Sequence, residues 1–245
     1  MGTTDLHCHL LPGVDDGPAT MAESVAYAEA AVAAGTTTIV ATPHVEMVDV
    51  SEVADRVAEL RAALDAAGVA LDVRCGGELK PFSIGGLTQA ELELIAHGPP
   101  GGRWVLYEVP FSGIDEEFAA GAQELRDRGF GLLLAHPERS RGILDRGLPA
   151  LEAELGRGAL VAANVGPLIG REGGERARTA ERLLRRGVPH VVATDAHAPQ
   201  RPYTLAMGAE AVARITGRAD LARGLTADAP ARLLAEGITA GRRAA

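Results

Sequence analysis

Short β-branched or apolar runs alternate with longer amphipathic ones from one end of the chain to the other, the order expected of βα units around a parallel sheet. Seven runs read as strands: Thr3–His7, Thr37–Ala41, Ala70–Cys75, Trp104–Val109, Gly131–Ala135, Leu160–Asn164 and His190–Thr194. Apolar residues at helical spacing predict helices over Met21–Ala34, Ser51–Ala67, Gln89–Ala96, Glu116–Arg128, Leu148–Gly156, Gly174–Arg186, Tyr203–Thr216 and Ala229–Glu236. Thr20 with Glu23 has the spacing of a capping box and Gly35 stops that helix; Ser51 before Glu52, with Gly68 closing, repeats the arrangement. No low-complexity linker and no fixed-period repeat divides the chain, so residues 1–245 are expected to form one domain, a distorted parallel (β/α)7 barrel.

Composition refines this picture. Aromatic residues make up 3% of the chain, so the core must be built from Ala, Val, Leu and Ile. A formal charge of −9 argues against nucleic-acid binding, which needs a basic patch to neutralise phosphates. The arginines of Arg176–Arg186 alternate with Glu in a helical pattern and read as a solvated face. Cys8 and Cys75 are too few for a disulfide framework and match no zinc-finger spacing, which suits buried thiols in a reducing compartment. There is no basic-then-apolar leader pattern and no run of about 18 apolar residues. A cytoplasmic enzyme without a membrane span is expected.

The chemistry lies at the strand ends. The first strand runs into His7-Cys8-His9, the second into Thr-Pro-His44, and the third into Gly-Gly-Glu78. The fourth carries Glu108, the fifth ends in His136-Pro-Glu-Arg139, and the last ends in Asp195-Ala-His197. In a parallel barrel the carboxyl ends of all strands open on one face, so these side chains should converge. His-x-His and Asp-x-His on extended backbone point both donors the same way. Asp15-Asp16-Gly17 adds a carboxylate pair, of which one ligates and the other orients a ligand. His97, ending a helix beside Gly98, and His190, opening a strand on the opposite face, fall outside the group.

The candidate metal ligands are therefore His7, His9, Asp16, His44, Glu78, Glu108, His136, Asp195 and His197. Nine N and O donors exceed the needs of one ion, so two or three divalent ions are implied, and imidazole with carboxylate suits manganese, iron or zinc. Such a cluster generates a hydroxide nucleophile at neutral pH, which fits the absence of a C-x5-R loop, a P-loop and a dinucleotide fingerprint. Arg139 and Arg201 lie at the same strand ends and are candidate clamps on phosphate oxygens.

The string Asp5-Leu-His-Cys-His-Leu-Leu-Pro-Gly-Val-Asp-Asp-Gly, followed in order by Ala41-Thr-Pro-His, Gly77-Glu, Ala135-His-Pro-Glu-Arg and Thr194-Asp-Ala-His, resembles the PHP-type protein-tyrosine phosphatases of bacterial capsule and exopolysaccharide operons, the CpsB/CapC/YwqE-like group. The resemblance covers roughly residues 5 to 203. It implies a PHP fold and a manganese-dependent phosphatase. The implied partner is a phosphotyrosine-bearing protein, a bacterial tyrosine kinase tail. It further implies one ion on His7, His9, Glu78 and Asp195, a second on Glu78, Glu108 and His136, and a third on Asp16, His44 and His197. Arg139 and Arg201 match the group's phosphate-binding arginines. Lys80 and Ser140 stand where the group commonly has Tyr, which leaves fewer aromatic rings near the mouth. The rival readings are a phosphatase for a small monoester such as histidinol phosphate, an amide or lactone hydrolase, and a non-catalytic metal-stabilised binding protein.

Overall fold

A computed structural model describes residues 2–144 and 147–239. The apolar runs become eight parallel strand segments: β1 Thr3–Cys8, β2 Thr36–Ala41, β3 Asp72–Cys75, β4 Glu78–Leu79, β5 Trp104–Glu108, β6 Gly131–Ala135, β7 Leu160–Asn164 and β8 Val191–Ala193. They form two sheets, ordered β1-β2-β3 and β4-β5-β6-β7-β8. β5 and β6 are buried along their whole length, which explains why they read as continuous apolar runs rather than alternating ones.

β3 and β4 are one stave of the barrel broken in two, so the seven-unit pattern holds. The first half pairs with β2 through Ala41 and Cys75, and the second pairs with β5 through Glu78 and Leu106. Gly76 and Gly77 make the break. A Cβ on Gly76 would lie 2.5 Å from Val40 Cγ1, and one on Gly77 would lie 2.8 Å from Val45 Cγ1, so no larger residue fits this approach. The two sheets meet at two seams. At one, Glu78 N donates to Pro43 O (3.0 Å) and Val45 N to Glu78 O (3.2 Å). At the other, Asp195 N donates to His7 O (2.8 Å) and His9 N to Ala196 O (3.0 Å). Both seams are built from the backbone of candidate ligands.

Helices pack around this frame: α1 Met21–Ala33, α2 Val53–Ala66, α3 Gln89–Ile95, α4 Glu116–Asp127, α5 Leu148–Gly156, α6 Val165–Leu168, α7 Gly174–Arg185, α8 Leu205–Thr216, α9 Ala219–Arg223 and α10 Ala229–Glu236. The capping box Thr20/Glu23 forms on α1, and Thr88/Glu91 forms another on α3. Ser51 is not a cap. Asp49 instead caps a 3₁₀ turn over Val50–Glu52, accepting from the amide (3.0 Å) and hydroxyl (2.7 Å) of Ser51, and α2 follows that turn with no side-chain cap of its own. The carboxylate has the lone pairs for both donors, so the serine donates instead of accepting.

Leu6, Val40, Leu106, Leu133, Ala162 and Val191, from six different strands, pack in one apolar cluster with Trp104, Leu233 and Ile238. The only tryptophan, at the amino end of β5, donates from Nε1 to Leu233 O (3.0 Å), so the C-terminal helix closes the bottom of the barrel and leaves the strand carboxyl ends open. Among the described residues no helix is long and apolar enough to cross a membrane.

Candidate metal centre and its mouth

All nine candidate ligands and both candidate arginines meet at the carboxyl ends of the strands. His7 and His9, two residues apart at the end of β1, bring their Nε2 atoms within 3.3 Å of each other. Glu78 Oε2 lies 3.3 Å from each of them, and Asp195 Oδ1 lies 3.2 Å from His7 and 3.4 Å from His9. Five of the six edges of this four-atom cage are thus known. These four donor atoms lie close enough together that they would hold one small divalent cation.

Two further groups adjoin the cage. His9, Asp16, His44 and His197 form one, with His197 Nε2 3.0 Å and His44 Nε2 3.6 Å from Asp16 Oδ1; His44, Glu78 and Glu108 form the other. His136 Nε2 reaches the second oxygen of Glu78, Oε1, at 3.0 Å. The structure therefore gathers His44 with Glu78 and Glu108, while His136 approaches from the far side of Glu78. His136 and Asp195 both have left-handed backbone, φ 38° and 48°, which costs residues with a Cβ about 1–3 kcal/mol each and turns their side chains in from the strand ends.

Donor chemistry shows that these residues fit bound cations. His197 Nδ1 donates to Asp195 O (3.0 Å), because a carbonyl can only accept. Its Nε2, buried and without a hydrogen-bond partner, then faces the Asp16 carboxylate, and a proton or a metal ion must mediate between them. His7 Nδ1, His136 Nδ1 and Glu108 Oε2 are also buried without hydrogen-bond partners, and His44 Nδ1, likewise without a hydrogen bond, faces Glu78 Oε2 at 3.2 Å. Burial opposes charge on Glu78 and Asp195, yet the surrounding histidines, His7 foremost, hold both carboxyls well below the usual range. Burial and then the charge of Glu78 push Glu108 up to about 8. Several carboxylates thus share one buried space, where a divalent cation relieves their repulsion.

The Asp15-Asp16 pair divides its work. Asp15 Oδ2 accepts from His9 Nδ1 (2.6 Å) and His44 N (3.1 Å), fixing both histidines, whereas Asp16 is the one that faces His44 and His197. Asp195 is held similarly: Arg139 Nη1 (2.6 Å) and Asn164 Nδ2 (3.0 Å) donate to its Oδ2, leaving Oδ1 for the cage. Asp5 underlies both, accepting from the amides of His7 and Thr194, and burial raises its carboxyl to about 6. Neither Asp5 nor Asn164 stood out as a site residue in the sequence; their signal was only proximity to a strand end. Cys8 is fully buried with its thiol pushed up by burial, and no thiolate enters the centre.

The profile of the capsular polysaccharide synthesis family CpsB/CapC matches residues 3–235. The chain belongs to the CpsB/CapC family. It is 32% identical over 201 residues to tyrosine-protein phosphatase YwqE of Bacillus subtilis (strain 168), covering 79% of this chain and 76% of that protein. It is 29% identical over 208 residues to CapC of Staphylococcus aureus, covering 82% and 80%. A chain from the crystal structures of YwqE from Bacillus subtilis and CpsB from Streptococcus pneumoniae, described as unique metal-dependent tyrosine phosphatases, superposes with a TM-score of 0.81, 26% identity and 99% coverage of both chains. The described residues of this CpsB/CapC chain therefore share the fold of those enzymes.

The mouth above the centre is a cavity of about 350 Å³. Arg139, Arg201 and Lys80 line it, as do two residues that sequence reading placed elsewhere or passed over, Arg176 and Phe111. Arg176 is not simply part of a solvated face, since its guanidinium carbon sits 5.4 Å from the centre of the Phe111 ring. It occupies the first turn of α7, which brings it back over the strand ends. Arg139 is buried and donates from Nε to Glu172 (2.7 Å) as well as to Asp195, while Arg201 stands 3.7 Å from Asp195 with its side chain partly exposed. His97 and His190 lie outside the centre. His97 pairs through its backbone with Trp104, and burial, reinforced by Arg103, pushes its imidazole down to about 3, which keeps it neutral.

Proposed function

We propose that this chain is a metal-dependent phosphomonoesterase, a protein-tyrosine phosphatase that acts in the cytoplasm on the tail of a bacterial tyrosine kinase controlling capsule or exopolysaccharide synthesis. The observation that carries the reading is the meeting, at one mouth, of a three-group histidine–carboxylate centre with Arg139, Arg176 and Arg201. Guanidinium groups match the oxygens of a phosphoryl group, and a carbonyl substrate has no use for them. Family membership and the likeness to YwqE and CapC support the tyrosine assignment.

His7, His9, Glu78 and Asp195 would hold one ion, Glu78 and Glu108 with His44 or His136 a second, and Asp16 with His44 and His197 a third. The mixed N and O donor set without thiolate suits manganese, with iron or zinc as alternatives. Bound ions supply Lewis acidity and a nucleophile at neutral pH. Arg201 and Arg176 neutralise charge on the phosphoryl oxygens, while Arg139 and Asn164 keep Asp195 oriented. No described side chain is required to form a covalent link to phosphorus.

The test is phosphate release by manganese-loaded protein from a phosphotyrosine peptide, a phosphoserine peptide and histidinol phosphate, with and without chelator. Chelator-sensitive preference for the phosphotyrosine peptide is expected. Preference for histidinol phosphate would move the substrate to metabolism, and no release from any would overturn the reading.

A further inference from the structure

A second cleft, of about 280 Å³, opens beside the metal mouth and shares Lys80, Glu108 and Phe111 with it. Its apolar walls are Pro81, Phe82, Pro110 and Phe111. Phe82 is 62% exposed and Phe111 45%, although the other two of the chain's four phenylalanines, Phe118 and Phe130, are completely buried. Two exposed rings at one cleft leave apolar surface in water that a ligand would cover. Phe111 is also held in place. Arg141 N donates to its carbonyl (3.0 Å), its ring centre lies 5.8 Å from that of His136, and the guanidinium carbons of Arg139 and Arg176 lie 5.5 and 5.4 Å from it. The ring thus marks the border between the charged mouth and the apolar cleft.

We propose that this cleft receives the aryl group of an aryl phosphate monoester, with Phe111 as a specificity-determining residue and Phe82 as a second wall. The inference rests on the reading of the mouth as a phosphomonoesterase site. In an aryl ester a single oxygen joins phosphorus to the ring, so a phosphoryl group in the mouth places the ring in the adjoining space. A flat ring gains stacking on Phe111, whereas the short alkyl arm of phosphoserine offers no such surface. Aromatic selection is therefore supplied by Phe82 and Phe111.

The inference is tested by calorimetric binding of phenylphosphonate and methylphosphonate, which carry an uncleavable P–C bond, to the manganese-loaded protein. Wild type is expected to favour the phenyl compound by at least about tenfold, and Phe111→Ala and Phe82→Ala each to lower that ratio by about 3- to 10-fold. Phe111→Tyr, which keeps the ring, should retain the ratio. No preference in the wild type, or an unchanged ratio in both alanine variants, would overturn the proposal. Phosphate release from phenyl phosphate and a phosphoserine peptide separates the two readings: release without aryl preference removes only the role of the cleft, and no release from either removes the phosphatase reading beneath it.

Discussion

Glu78 lies 3.2–3.3 Å from His7, His9 and His44 through one oxygen and 3.0 Å from His136 through the other, so a single carboxylate joins the groups of the centre. Glu78→Ala should abolish phosphate release and metal binding together; metal content near wild type by elemental analysis would remove Glu78 from the centre. Asp15 acts one step back, through His9 and His44. Asp15→Asn should weaken metal affinity by about 10–100-fold with the fold intact, as read by titration with manganese. His97 provides a pH test away from the metal. Its folded pKa of about 3 lies below the ordinary 6.5, so below pH 6.5 the unfolded chain binds a proton that the folded chain refuses. Stability from this group is present above pH 6.5 and declines as pH falls toward 3, by at most about 1.4 kcal/mol per unit. Denaturant unfolding of His97→Gln should show a shallower loss between pH 6 and 4 than wild type; identical slopes would refute the assignment.

Among the elements, the broken third stave shows what could be read from the sequence and what could not. Residues 70–75 read as a strand and Glu78 as a donor, yet the pairing of one half with β2 and the other with β5 depends on Val40 and Val45 approaching the glycines. Gly76→Ala should push that seam apart, costing about 1–3 kcal/mol by overpacking and lowering metal affinity through Glu78, two residues on. Unfolding curves and metal titration of the variant would test both, and unchanged stability would mean the seam yields easily. The helices tell a similar story. Thr20/Glu23 formed the expected cap because its hydrogen bonds lie within one turn, whereas Asp49 caps a 3₁₀ turn over Val50–Glu52 through Ser51 N and α2 begins after it with no side-chain cap. α6 and α9, of four and five residues, are too short to show a periodicity, and both were missed.

At the scale of the whole molecule, the seams that bring the two sheets together are formed by the backbone of His7, His9, Glu78 and Asp195, whose side chains make up the cage. Occupancy of the centre and integrity of the barrel should therefore be linked. Manganese at 100 times its dissociation constant is expected to stabilise the protein by about 2.7 kcal/mol over the chelated form, measured by thermal or denaturant unfolding. Equal stability with and without metal would show that the centre does not bind the folded state preferentially.

Residue types and their spacing along the chain specify which side chains can be ligands and that they share a face. Parallel strands place all their carboxyl ends together, and His-x-His or Asp-x-His on extended backbone fixes direction without any knowledge of the neighbours. Packing between distant segments instead sets Asp15 to orient while Asp16 faces His44 and His197, joins His44 to Glu78 and Glu108, engages Arg139 with Asp195 and Glu172, and brings Phe111, Phe82 and Arg176 to the mouth and the cleft beside it. Those outcomes depend on the paths of loops and on contacts between residues dozens of positions apart, where neither strand nor helix periodicity constrains the geometry.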